Sequence, residues 1–71
     1  MDYEQEAWFF KLVRAGFTQP RKTLANNLYA TLGIERGRVE TALHNLGLPA
    51  AARPHQLSVE DWKRLCASPL S

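Results

Sequence analysis

Gln19-Pro20-Arg21-Lys22-Thr23-Leu24-Ala25-Asn26-Asn27-Leu28-Tyr29-Ala30-Thr31-Leu32-Gly33 is the stretch on which the fold turns. Leu24, Leu28 and Leu32 recur four residues apart, the spacing that lines one side of a helix rather than one face of a strand. Gly33 is the expected stop, because glycine takes the left-handed conformation after a helix at little cost. Thr18 or Gln19 stands where the helix begins, and Pro20 suits its first turn, where an N–H would have no partner anyway. The helix is therefore expected over about residues 20–32.

Upstream, Phe9, Leu12, Val13 and Gly16 fall at helical spacing, with Trp8 and Phe10 widening the apolar face, so a helix is expected over about 3–15. Lys11 and Arg14 share one side of it, and Gly16 is placed to end it. Downstream, Val39, Leu43 and Leu46 mark a helix over about 36–46. Gly47 fits the left-handed position after that helix, with Leu48 folding back on Leu43 as in a Schellman ending. Pro49 and Pro54 bracket an ordered connector with a single turn after Pro49. The last helix, Val59–Ala67, is the best marked. Ser58 is its N-cap, Asp61 completes a capping box, and Leu57 and Trp62 are spaced as a hydrophobic staple. Pro69 forbids much continuation. No strand-length alternation, repeat or low-complexity tract occurs. The expected fold is all-α, a small four-helix orthogonal bundle without strands, with residues 1–71 forming one domain.

At 71 residues there is no room for a cofactor-binding domain beside a substrate domain. A hydrophobic content of 45% with seven aromatics suits a packed core rather than disorder. The net charge of +2 decides little, but its distribution is uneven. Residues 1–6 carry three acids and no base, residues 7–34 carry Lys11, Arg14, Arg21 and Lys22 and no acid, and beyond them five bases nearly balance four acids. A one-sided basic stretch is a candidate anion-facing surface, beside its plainer role as a solvated helix face. In the expected second helix, Arg21 and Lys22 fall in the first turn, where the helix dipole opposes them. That mismatch hints at a task outside the fold, such as meeting an anion.

No catalytic residue or metal site is expected. His44 has only Glu40 at helical spacing, and His55 lies in the connector. Neither makes a metal-ligand pattern. Glu60 and Asp61, adjacent on a helix, point apart, which argues against paired-carboxylate catalysis. No glycine-rich loop joins a strand to a helix, so a nucleotide cradle and its cofactor are not expected in this chain. Cys66, the single cysteine, is expected as a half-buried apolar residue near the end of the last helix, consistent with a reducing cytoplasm. No apolar run approaches the roughly 20 residues that cross a bilayer, and the acidic start is unlike a signal peptide. A cytoplasmic monomer without a membrane role is expected.

Asn26 and Asn27 are mediocre helix formers, and a pair of them asks for a reason. Amides that donate and accept suit ribose hydroxyls and base edges. Equally, one can tie a neighbouring loop while the other is solvated. Asn26, four after Lys22, shares a helical face with it. Tyr29 can stack on a base, although an aromatic at that spacing is more often core.

Phe17-Thr18-Gln19-Pro20-Arg21-Lys22-Thr23-Leu24-Ala25-Asn26-Asn27-Leu28 resembles the F-x-x-R-R-K-T-L-x-N-N-L signature in the C-terminal helical domain of bacterial ribosomal RNA adenine dimethyltransferases. Phe9 to Gly16 resembles the helix leading into it. Gly47-Leu48-Pro49, then Arg53-Pro54-His55-Gln56-Leu57-Ser58-Val59-Glu60-Asp61-Trp62, is similar to the family's G-I-D-P…R-P-E-x-L-S-x-E-E-F ending. Pro20 stands where the family often has a second arginine, the Asp of G-I-D-P is missing, and His55 replaces a Glu.

The resemblance implies a parent enzyme that uses S-adenosylmethionine to dimethylate two adjacent adenosines near the 3′ end of small-subunit RNA. The catalytic domain and its cofactor would lie outside this chain, leaving an accessory domain that engages small-subunit ribosomal RNA or its particle and its own catalytic domain. Arg21, Lys22 and Arg14 are then the expected RNA contacts, with Lys11 at the margin and Asn26 as a polar contact. Asn27, Ser58, Asp61, Trp62 and Gly47 are expected to hold the structure. A domain that mainly packs on the catalytic half, its bases paired with acids there, is an alternative. An unrelated helix-turn-helix DNA binder is another, but its second helix would carry Glu40 and few long polar side chains.

Overall fold

A computed structural model of the chain describes the backbone of residues 3–70 and the side chains of residues 6–70, so of the three acids at the start only the Glu6 side chain lies among the described ones. Four helices follow in order: α1 (Tyr3–Gly16), α2 (Leu24–Leu32), α3 (Arg36–Asn45) and α4 (Val59–Ala67). A one-turn 3-10 helix, Pro54–Gln56, lies in the connector before α4. The fold is all-α, with no strand among the described residues. α2 packs against both α1 and α3, and α4 packs against α1.

The helical rows explain the core. Leu12, Leu24, Leu28, Val39, Leu43 and Leu65 are wholly shielded from solvent. Burying a leucine side chain is worth about 1.5–3 kcal/mol, so the rows hold the helices together more firmly than helix propensity does. Trp8 and Phe9 are partly buried against this cluster, and the Trp8 indole N–H donates to the Cys66 carbonyl at 3.2 Å. That bond brings a donor to a carbonyl in the last turn of α4. Phe10, expected on the apolar face, instead stands 58% exposed.

The caps of α3 and α4 follow the sequence closely. Gly47 has φ +79°; its N–H donates to His44 O at 3.0 Å and the Leu48 N–H to Leu43 O at 2.9 Å, the two bonds of a Schellman ending. Ser58 Oγ accepts from the Asp61 N–H at 3.1 Å, and Asp61 Oδ2 accepts from the Ser58 N–H at 3.1 Å. Leu57 and Trp62, either side of this box, are both buried. The expected turn after Pro49 is present, closed by Ala52 N–H to Pro49 O at 3.0 Å.

The start of α2 differs from the expected one. The helix begins at Leu24, and its N-cap is Thr23, whose side chain accepts from the Asn26 N–H. Pro20 instead occupies a turn closed by the Lys22 N–H to Gln19 O bond at 2.9 Å. Proline suits the second position of such a turn as well as the first turn of a helix, because φ near −65° serves both. Arg21 and Lys22 therefore precede the helix and do not sit in its first turn, where the dipole was expected to oppose them.

Gly16 does end α1, as expected. It is the last residue of α1 and does not adopt a left-handed conformation. A Cβ there would lie 2.6 Å from Trp62 Cη2 and 2.8 Å from Leu24 Cδ1. Its lack of a side chain is what lets α1, α2 and α4 meet.

Candidate functional site

The loop between α1 and α2 is held by Asn27, which is 3% exposed. Its Oδ1 accepts from the Gln19 N–H at 2.7 Å. Its Nδ2 donates to Gln19 O at 2.9 Å, Thr23 O at 3.0 Å and Lys22 O at 3.3 Å. The Leu24 N–H, at the head of α2, donates to Ala52 O at 2.9 Å, which ties the same loop to the connector. These bonds fix the turn that carries Arg21 and Lys22 while both side chains stay exposed.

Lys22, Asn26, Tyr29 and Arg36 line one open groove. Phe10, Lys11 and Arg14 line a second. Thr18 and Thr31 border both, so the two grooves adjoin along the α1–α2 seam. Among the described residues, no acid lines either groove. Arg21 belongs to neither and stands exposed on the turn. The residues Lys22 and Asn26 do come together, but through the turn geometry rather than through a shared helical face.

Arg36 is the residue that sequence reasoning missed. It opens α3, its guanidinium carbon sits 4.9 Å from the Tyr29 ring centroid, and its Nη1 donates to Asn26 Oδ1 at 3.3 Å. A signal existed: α3 begins Arg36-Gly37-Arg38 with no acid in its first turn, against the dipole preference. Arg38 meets Glu35 at 3.7 Å in an exposed pair, a contact worth little in water. Arg36, Lys11, Arg14, Arg21 and Lys22 have no carboxylate partner among the described residues. Tyr29 is 51% exposed, not core.

Elsewhere the polar groups serve the fold. Ser58 and Asp61 are spent on the α4 cap, and Trp62 is buried. Burial pushes the Cys66 thiol up from its ordinary range, which keeps it neutral. No group of three or more His, Cys, Asp or Glu is placed to hold a metal among the described residues. No described helix is long and apolar enough to cross a membrane.

No family model matches the chain. Curated relatives do. A protein of Dehalococcoides mccartyi named ribosomal RNA small subunit methyltransferase A is 46% identical over 66 residues, covering 93% of this chain and 23% of its own length. Proteins of the same name from Syntrophus aciditrophicus and Lactococcus lactis are 39% and 36% identical, each covering 92% of this chain. The chain belongs to the C-terminal part of the ribosomal RNA small subunit methyltransferase A family. It spans about a quarter or less of the length of these relatives, between 22% and 24%. These matches take in 92–93% of the chain.

Proposed function

We propose that the chain is the RNA-engaging accessory part of an enzyme that uses S-adenosylmethionine to dimethylate, at N6, two adjacent adenosines near the 3′ end of small-subunit ribosomal RNA. The cofactor and the catalytic residues would belong to the larger remainder of the enzyme. The partners are small-subunit ribosomal RNA or its particle and the enzyme's own catalytic domain; the setting is the cytoplasm, and the enzyme works as a monomer.

One observation carries the RNA role: five cations, Lys11, Arg14, Arg21, Lys22 and Arg36, stand in and beside two adjoining grooves that no acid lines among the described residues. Cations without carboxylate partners are available to phosphates, and binding them releases counterions. Contacts of this type fix position and register on RNA without reading sequence. Asn26 adds an amide for a ribose hydroxyl or a base edge.

A salt titration of small-subunit RNA binding tests this. The Arg21→Gln/Lys22→Gln variant should bind more weakly, and its log–log salt slope should be shallower by about two, one for each phosphate that the variant no longer neutralises. Unchanged affinity and slope contradict the proposal.

A packing role on the catalytic half is the second reading, favoured by Phe10, exposed beside Ala7 and Leu32 in the groove of Lys11 and Arg14. Absent RNA affinity together with firm docking to the catalytic half would select it.

A further inference from the structure

We infer that Tyr29 and Arg36 form a seat for one unpaired nucleotide, its base stacked on the Tyr29 ring and its phosphate held by Arg36 and Lys22. The seat rests on the RNA-engaging role proposed above. It adds a ligand class to that role, an unstacked nucleotide rather than the outside of a duplex.

The groove has the three parts that such a ligand needs. Its aromatic, Tyr29, lies on α2 next to the buried Leu28 yet keeps 51% of its surface in water. Its ring already has a planar cation over it, the Arg36 guanidinium at 4.9 Å. Aromatic rings and guanidinium planes are the two protein surfaces on which splayed bases stack. Lys22 and Asn26 line the same groove, and no carboxylate among the described residues does.

The Arg36 contacts are exchangeable. Both are exposed, and the bond to Asn26 Oδ1 is 3.3 Å long. A phosphate offers the guanidinium stronger, charge-assisted bonds than an amide oxygen does. Moving Arg36 from Asn26 to a phosphate uncovers the Tyr29 face and frees an amide acceptor. The Asn26 amide NH2 already lacks a partner among the described residues. Asn26 can then donate and accept at a base edge or ribose hydroxyl. A paired A-form duplex keeps its base faces stacked, so only a loop, bulge or single strand fills the seat.

A brace between α2 and α3 is the competing role for the Tyr29–Arg36 contact. Bracing alters the melting temperature and leaves RNA affinity alone.

The test is an NMR titration of the full 71-residue chain with single-stranded oligoadenylate RNA and, separately, with a fully paired RNA duplex of matched charge. The single strand should move the Tyr29 ring proton signals upfield in a saturable way. Tyr29→Leu should weaken single-strand binding about tenfold, with an unchanged salt slope, because no charge is removed. Tyr29→Phe should retain affinity. Unchanged indole signals of Trp8 and Trp62 verify that each variant is folded. Undiminished single-strand affinity in Tyr29→Leu, or an equal loss of duplex binding, overturns the seat while leaving the RNA role standing. Failure of both RNAs to bind overturns the RNA role and the seat with it.

Discussion

The beginning of α4 and the beginning of α2 use short polar side chains to opposite ends. At α4, Ser58 and Asp61 satisfy each other across three residues, and both side chains are consumed. At α2, Thr23 caps the helix in the same manner, but the main tie is Asn27, which reaches back eight residues to Gln19. The first device starts a helix and leaves nothing over. The second shapes a loop, and by doing so presents Arg21, Lys22 and Asn26 to the outside. One region therefore stabilises the fold alone, whereas the other converts buried hydrogen bonds into a defined cationic surface.

Removing Asn27 should break that contrast most severely. Asn27→Ala leaves the Gln19 N–H and the Gln19, Lys22 and Thr23 carbonyls without their amide partner. A loss of about 2–3 kcal/mol is expected, the usual cost of stranding buried polar groups, together with weaker RNA binding as the turn loosens. Urea unfolding measures the first and a binding titration the second. Asn26→Ala, one residue away, should stay within about 0.5 kcal/mol in stability, because its bond to Arg36 is exposed. Equal destabilisation by the two changes would erase the distinction.

Ser58→Ala should cost less, about 1 kcal/mol, the typical value of a missing N-cap. It should leave RNA affinity unchanged, since Ser58 lines neither groove. Thermal melts with parallel binding curves check both parts, and a loss of affinity here would mean that the cationic surface depends on the whole fold rather than on its own corner.

The same contrast explains what could be read in advance. The α4 capping box, the Leu57–Trp62 pair and the Gly47 ending all depend on residues within a few positions of one another, so their spacing carries the information. The start of α2 depends on Asn27 meeting Gln19 and on Leu24 meeting Ala52. Local sequence offered Thr18 or Gln19 at the entry with Pro20 in the first turn, whereas the helix starts after Thr23, where these contacts hold the preceding loop. Gly16 was legible as the end of α1, but its close approach to Trp62 and Leu24 was not, because those neighbours are remote in sequence or beyond the loop. The basic residues of α1 and the turn were visible as a charge run. Arg36 was not, because Glu35 and Glu40 nearly balance its segment, and its place over Tyr29 follows from how the Gly33 turn folds α3 back.

Amide and side-chain shift mapping with a small-subunit ribosomal RNA fragment tests the central claim most directly, because the chain carries its own control. Lys63 and Arg64 on α4 are cations as exposed as those of the grooved face, but Glu60 and Asp61 share their helix. Saturable shifts should gather on Lys11, Arg14, Arg21, Lys22, Asn26, Tyr29 and Arg36 and spare Lys63 and Arg64. Shifts spread evenly over both sets, centred on α4, or absent would contradict the account.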